Sequence, residues 1–135
     1  MLALQLANQL AALEPARQAV LDFVDGQGLS VRARYRLELV LEEVLMNLVW
    51  HAFPEGGSHA IDLTLQLEPD TLRLGFEDDG APFDPLAAPL PVAPRSLAEA
   101  VPGGLGLALV RKAVREARYE RVGGRNRLTL ALDRG

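Results

Sequence analysis

Leu2, Leu4 and Leu6 alternate with Ala3, Gln5 and Ala7, a period of two that predicts a short strand over residues 2–8. The period then lengthens. Ala16, Val20, Phe23 and Val24 recur at helical spacing, and Pro15 suits the first turn of that helix, where its missing N–H costs nothing. Gly26 and Gly28 end it. Ser30 is placed to cap the longest helix, which runs to about His51 with Leu37, Leu41, Val44 and Leu48 as its buried stripe. Pro54, Gly56 and Gly57 stop it. Ile61, Leu63, Leu65 and Leu67 alternate again, Pro69-Asp70 marks a turn, and Leu72, Leu74 and Phe76 alternate in a third strand. Leu107, Val110 and Val114 mark a helix beginning at Gly104 or Leu105. Residues 118–122 and 126–133 then read as two closing strands around Gly123-Gly124.

This order is strand, two helices, two strands, a long connection, a helix and two strands. The alternating βα units of a doubly wound fold are missing. The pattern therefore predicts an α+β fold, a two-layer sandwich with helices on one face of a mixed, mainly antiparallel sheet. At 135 residues the chain is expected to form one domain over residues 1–135, and a hydrophobic fraction of 49% is enough to build its core.

Charge and composition narrow the function classes. Fourteen basic and 18 acidic residues give a net charge of −4, which lacks the positive field of a nucleic-acid binder. The absence of cysteine excludes disulfides and thiolate metal sites. Residues 1–8 make a poor signal peptide, and no segment reaches the roughly 20 apolar residues of a membrane span. A cytoplasmic protein, with no membrane partner, is the expectation.

Three groups of residues carry candidate chemistry. Glu43 and Asn47 lie four apart on one helix face. A carboxylate and an amide oxygen suit a hard cation such as Mg²⁺, and the carboxylate could also orient or deprotonate a hydroxyl. Alone, such a pair is more often a solvated helix face. Only Glu43 stands at this spacing from Asn47, so Glu42 is assigned to solvent or a salt bridge. His51 continues the face; it could touch nucleotide, and the helix dipole favours it there equally. Asp78 continues the inward parity of Leu72, Leu74 and Phe76, and a carboxylate on the core side of a strand needs a partner. It could accept from the exocyclic amine of adenine, with Gly80 allowing a flat base to approach the backbone. The ordinary alternative is an Asp-Gly turn. Asp79 falls on the opposite face, and Asp84 has no evident role. Finally, Gly103, Gly104 and Gly106 precede a helix whose first N–H groups could receive phosphate oxygens.

Residues 82–102 hold six of the nine prolines, and a connection that long marks a functional or mobile segment. Within it, residues 95–100 could form one helical turn, and Arg95 could reach a γ-phosphate. Seven of the 14 basic residues lie between Arg111 and Arg127. Arg111, Lys112 and Arg115 read as a solvated outer helix face or a partner surface. In the last strand Asn126 shares the apolar face of Leu128, Leu130 and Leu132, which makes it a polar candidate for the site, while Thr129 points away.

With these residues in view, the chain resembles the anti-sigma-factor serine/threonine kinase group of the GHKL (histidine-kinase-like) ATP-binding superfamily. Residues 37–53 are similar to that family's first motif, Glu-x-x-x-Asn followed by a histidine. Asp78-Asp79-Gly80-Ala81-Pro82-Phe83-Asp84-Pro85 resembles the second, residues 104–110 the third, and residues 124–130 the closing strand. Each motif is weak alone; the four in order span nearly the whole chain. The superfamily's second glycine, two residues after Gly80, is replaced by Pro82, which implies an altered start to the lid.

The resemblance implies a Bergerat-type fold and a set of roles. Glu43 would be the general base, Asn47 would hold Mg²⁺, and Asp78 would bind the adenine amine with Gly80 beside the ring. Gly104, Leu105 and Gly106 would flank the phosphates, His51 and Asn126 would complete the ATP site, and residues 84–102 would form the ATP lid. The phosphate would pass to a serine or threonine of a STAS-domain anti-sigma antagonist, and a sigma factor would be sequestered. Homodimerisation is a further implication, with the first strand as an edge for pairing. Two other readings remain: a partner-switching module that binds ATP without transferring phosphate, and the catalytic half of a histidine kinase, for which no phosphoacceptor helix pair is present in these 135 residues.

Overall fold

The computed structural model describes residues 1–87 and 104–135. Strand β1 (Leu2–Ala7) leads through a single 3₁₀ turn (Leu10–Ala12) into helix α1 (Leu13–Val24) and then α2 (Val31–His51). Strands β2 (Ala60–Leu67) and β3 (Thr71–Asp78) follow, then α3 (Gly104–Ala113), β4 (Glu116–Val122) and β5 (Arg125–Asp133). The lid positions from 88 onwards, Gly103, the turn at 95–100 and Arg95 lie outside the described residues. Gly104 and Leu105 are described only through their place in α3.

Local chemistry sets the element ends. Ser30 is extended and its Oγ accepts from the Ala33 N–H at 2.9 Å, a cap worth about 1 kcal/mol to α2. Gly26 and Gly28 take positive φ after α1, which ends the helix without a Cβ penalty. The β4–β5 hairpin closes on Gly123 and Gly124 with φ of 59° and 76°, and Val122 pairs with Arg125. Two left-handed residues are what a two-residue hairpin of matching twist requires.

The sheet order is β1-β2-β3-β5-β4, and all four pairings are antiparallel. The mixed element of the expected sheet is therefore absent among the described strands. Two hairpins, the α1–α2 connection from β1 to β2 and one crossover join them, and every neighbouring pair is antiparallel. β1 occupies one edge, as expected of a strand open to pairing.

One face of the sheet is apolar. Ile61, Leu63, Leu65, Leu72, Leu74, Phe76, Leu128, Leu130 and Leu132 point to it and are buried with Val20, Leu37, Leu41, Val44 and Leu48 of the helices. The other face carries a surface ion-pair group in which Arg125 bridges Asp62 at 2.8 Å and Glu77 at 3.2 Å. Asp78 and Asn126 break the apolar pattern. They are buried on the helix-facing side and stand directly opposite each other across the β3–β5 ladder.

Candidate functional site

α2 is the spine of the site. Its long stripe of Leu and Val packs on the sheet, which fixes the rotation of the helix. That rotation puts Asn47 at the interface of helix and sheet, where only 2% of it is exposed. Asn47 Nδ2 donates to the Glu43 carbonyl at 2.8 Å, which turns Oδ1 away from its own helix. Glu43 is half-buried, and burial, followed by the charge of Glu42, raises its pKa above the ordinary carboxylate value. Glu42 itself is exposed, as its assignment to solvent anticipated.

α2 touches the other two groups at either end of this face. A Cβ on Gly106 would overlap the Glu43 carboxylate, so the first turn of α3 lies against Glu43. At the far end Ala81 N–H donates to the Ala52 carbonyl at 2.9 Å, and the His51 ring centroid lies 5.9 Å from that of Phe83. Asn47 sits one helical turn from each contact. Gly106 thus abuts Glu43, the Gly80 loop abuts the C-terminal end of α2, and Asn47 lies between these two contacts along the helix. His51 is exposed and packs on Phe83.

The Asp78 loop is held from three sides. Asp78 is 1% exposed, and its Oδ1 accepts from Gly80 N–H at 2.8 Å and from Asn126 Nδ2 at 2.9 Å. Asn126 Nδ2 also donates to the Ala81 carbonyl at 2.8 Å, while its Oδ1 accepts from Phe83 N–H at 3.1 Å, from Tyr119 Oη–H and from Arg121 at 3.1 Å. Arg121 in turn donates to the Gly80 carbonyl at 2.7 Å. Asn126 is thus committed to the loop.

Two acceptors are left over. Among the described residues Asp78 Oδ2 and Asn47 Oδ1 have no hydrogen-bond partner, although both residues are almost wholly buried. No fully buried side-chain nitrogen or oxygen among the described residues lacks a partner, so these two oxygens each keep a path to solvent. A free carboxylate oxygen suits an amine donor, and a free amide oxygen suits a hard cation. Among the described residues no cluster of three or more His, Asp and Glu could hold a metal ion unaided. A cation at Asn47 would therefore need oxygens from a ligand, as Mg²⁺ takes them from phosphates and water.

Several sequence expectations are altered by the geometry. Gly80 is also required by α2, because a Cβ there would collide with the Ala52 carbonyl. Asp84 does have a role: its Oδ1 accepts from Leu86 N–H at 3.0 Å and starts a turn. Arg111 and Arg115 are expected on one helix face, solvated or a partner surface, but α3 ends at Ala113, so Arg115 lies beyond it, and both side chains are tied down. Arg111 donates to the Leu86 carbonyl, and Arg115 joins Asp133 at 2.9 Å and Thr71. Asp79 is exposed, as expected, but pairs with His59 at 2.9 Å. That hydrogen bond, ahead of the other influences, lowers the Asp79 pKa.

Tyr119 and Arg121 were missed by the motif reading. The signal that could find them is the Gly123-Gly124 turn, since a two-residue loop brings Arg121 opposite Asn126.

Residues 6–132 match the histidine kinase-like ATPase domain family. The chain is 44% identical over 101 residues to the serine/threonine-protein kinase BtrW of Bordetella bronchiseptica, covering 75% of this chain and 71% of that protein. Its fold matches that of the RsbU and RsbW domains of a Mycobacterium tuberculosis protein, with a TM-score of 0.63 and 18% identity over all of this chain but 34% of the other. It also matches the SiaB–SiaC complex of Pseudomonas aeruginosa, with a TM-score of 0.60 and 15% identity over 98% of this chain and 89% of the other.

Proposed function

We propose that this chain, which belongs to the histidine kinase-like ATPase domain family, is an ATP- and Mg²⁺-dependent protein serine/threonine kinase of the anti-sigma type. Its substrate would be a STAS-domain antagonist, and it would sequester a sigma factor, acting in the cytoplasm and as a homodimer paired through the β1 edge. The observation that supports the nucleotide reading most is the pair of buried residues that each hold one free oxygen, Asn47 and Asp78. The serine/threonine reading draws on the 44% identical relative and on the four ordered motifs. Among the described residues no helix is long and apolar enough to cross a membrane.

Each residue then has a stated task. Asp78 Oδ2 accepts from the 6-amino group of adenine, a charge-assisted bond of about 2 kcal/mol. The N–H groups of the first turn of α3 receive phosphate oxygens. Asn47 Oδ1 would be one ligand of the cation, which would supply neutralisation of charge on the phosphates. Glu43 takes the proton of the substrate hydroxyl as its oxygen bonds to the γ-phosphorus; the bond from that phosphorus to the bridging oxygen breaks, and ADP leaves. Burial and Glu42 serve this step, because a carboxylate of raised pKa is a stronger base at neutral pH.

Calorimetry with Mg-ATP tests the binding step. Wild type should bind and Asp78→Asn should lose at least about tenfold in affinity, because the neutral amide forfeits the charge-assisted bond. Labelled ATP and a purified STAS-domain partner test the transfer. Glu43→Gln should still bind ATP and should transfer no phosphate. Transfer that persists in this variant removes Glu43 from the role of base, and no transfer by wild type leaves a partner-switching module that only binds ATP.

A further inference from the structure

The two oxygens of Asp78 are unequal. Oδ1 is saturated by Gly80 N–H at 2.8 Å and Asn126 Nδ2 at 2.9 Å, while Oδ2 is free among the described residues. The inequality is built into the ladder, since Asn126 is the direct cross-strand partner of Asp78. Asn126 cannot turn its amide around, because its Oδ1 already serves Phe83 N–H, Tyr119 and Arg121, and its Nδ2 also serves the Ala81 carbonyl. A flip would set an oxygen against Asp78 Oδ1 and against a carbonyl, and an NH₂ group against three donors.

We infer that Asn126 is the specificity-determining positioning residue of the base site: its amide locks Asp78 so that one ionised oxygen faces the base edge, which selects a 6-aminopurine over a 6-oxopurine nucleotide. This rests on the nucleotide reading above and adds to it. Asn126 touches no base; it acts through Asp78. The locked Oδ2 is an acceptor only, so it rewards an amine and repels the carbonyl oxygen of a 6-oxopurine. Tyr119 and Arg121 on β4 extend the lock, because they hold the oxygen end of the Asn126 amide and Arg121 also holds the Gly80 carbonyl.

Changing Asn126 to aspartate would reverse this. A second carboxylate within hydrogen-bonding distance of Asp78 cannot ionise alongside it, so the pair would keep one proton. That proton lies between the two carboxyls on the Oδ1 side and draws charge from Oδ2, so an amine gains less there, a 6-oxo group is repelled less, and the discrimination shrinks.

The test uses Mg-ATP and Mg-ITP, in which the 6-amino group and bare N1 of adenine are replaced by a 6-oxo group and an N1–H, with affinities measured by calorimetry on the full chain. Wild type should prefer ATP over ITP by at least about tenfold, since a site built for a donor rejects the analogue without it. In Asn126→Asp at pH 6, ATP affinity should fall at least tenfold while ITP affinity stays within about threefold, so that the ratio collapses. Asn126→Ser, too short to reach Asp78 and uncharged, should give a smaller loss of the ratio; it serves as the test where the aspartate variant does not fold. Equal losses for ATP and ITP in both variants would mean that Asn126 only supports the loop, and would overturn the inference. Wild type that binds ATP and ITP equally would overturn it too, while leaving the kinase reading in place. Wild type that binds neither would overturn both.

Discussion

The Glu43 carboxylate lies where a Cβ on Gly106 would stand. With no side chain at residue 106, the carboxylate can occupy that space against the first turn of α3. Gly106→Ala would push the carboxylate aside, and the far end of a glutamate moves easily. The same change adds helix propensity in the first turn of α3, less than the roughly 1 kcal/mol of an interior position. The variant should melt no lower than wild type, yet, if Glu43 is the base proposed above, phosphotransfer should fall at least about tenfold, because a displaced base loses its near-attack geometry. A thermal melt and a transfer assay on the same preparation check both halves. Unchanged transfer would free Glu43 from any dependence on this contact.

Gly80 behaves in the opposite way. A Cβ there meets the backbone carbonyl of Ala52, which cannot move without shifting the end of α2. Gly80→Ala should therefore destabilise the fold by about 1–3 kcal/mol, the usual cost of overpacking. It should also loosen the Ala81 N–H bond to the same carbonyl, now 2.9 Å. Denaturant unfolding measures the loss. A variant as stable as wild type would mean that the loop and helix end adjust freely.

How much of this was legible follows from what each signal encodes. Parity alone placed Asp78 on the core side, since a strand has a period of two and Leu72, Leu74 and Phe76 fixed the face. Helical spacing placed Asn47 and Glu43 on one side of α2, and Ser30 announced its cap. The contacts of Asn126 were hidden for a different reason. They depend on which strand lies beside β3, and strand order comes from the crossover through α3, which no local period reports. The close packing of Gly80 on Ala52 was hidden likewise, because it joins residues far apart in sequence. The glycine was visible; the neighbour that demands it was not.

Asn47 separates metal from nucleotide. Its Nδ2 bond to the Glu43 carbonyl, 2.8 Å, holds Oδ1 outward, where the proposed cation would bind. Asn47→Ala removes that oxygen and leaves the Asp78 base contact intact. The affinity for Mg-ATP should fall at least about tenfold, while the weaker binding of ATP in excess EDTA should stay within about twofold of wild type, because only the cation contact is lost. Equal losses with and without Mg²⁺ would show that Asn47 acts on packing or on the nucleotide itself.

Glu42 tunes Glu43. Desolvation is the larger cause of the raised Glu43 pKa and the charge of Glu42 the second. A base works only when deprotonated, so the rate should rise with pH as Glu43 ionises, and a raised pKa moves that limb to higher pH than an ordinary carboxylate would give. Glu42→Gln removes the repulsion between like charges, favours the ionised form of Glu43 and should shift the limb towards lower pH. Glu42 is exposed, so salt should weaken its influence: the wild-type limb should move down as ionic strength rises, and the limb of the variant should not. The transfer rate at saturating ATP, measured between pH 4.5 and 8 at low and high salt, reads both shifts. A limb that stays fixed in Glu42→Gln would mean that the titration belongs to a group other than Glu43.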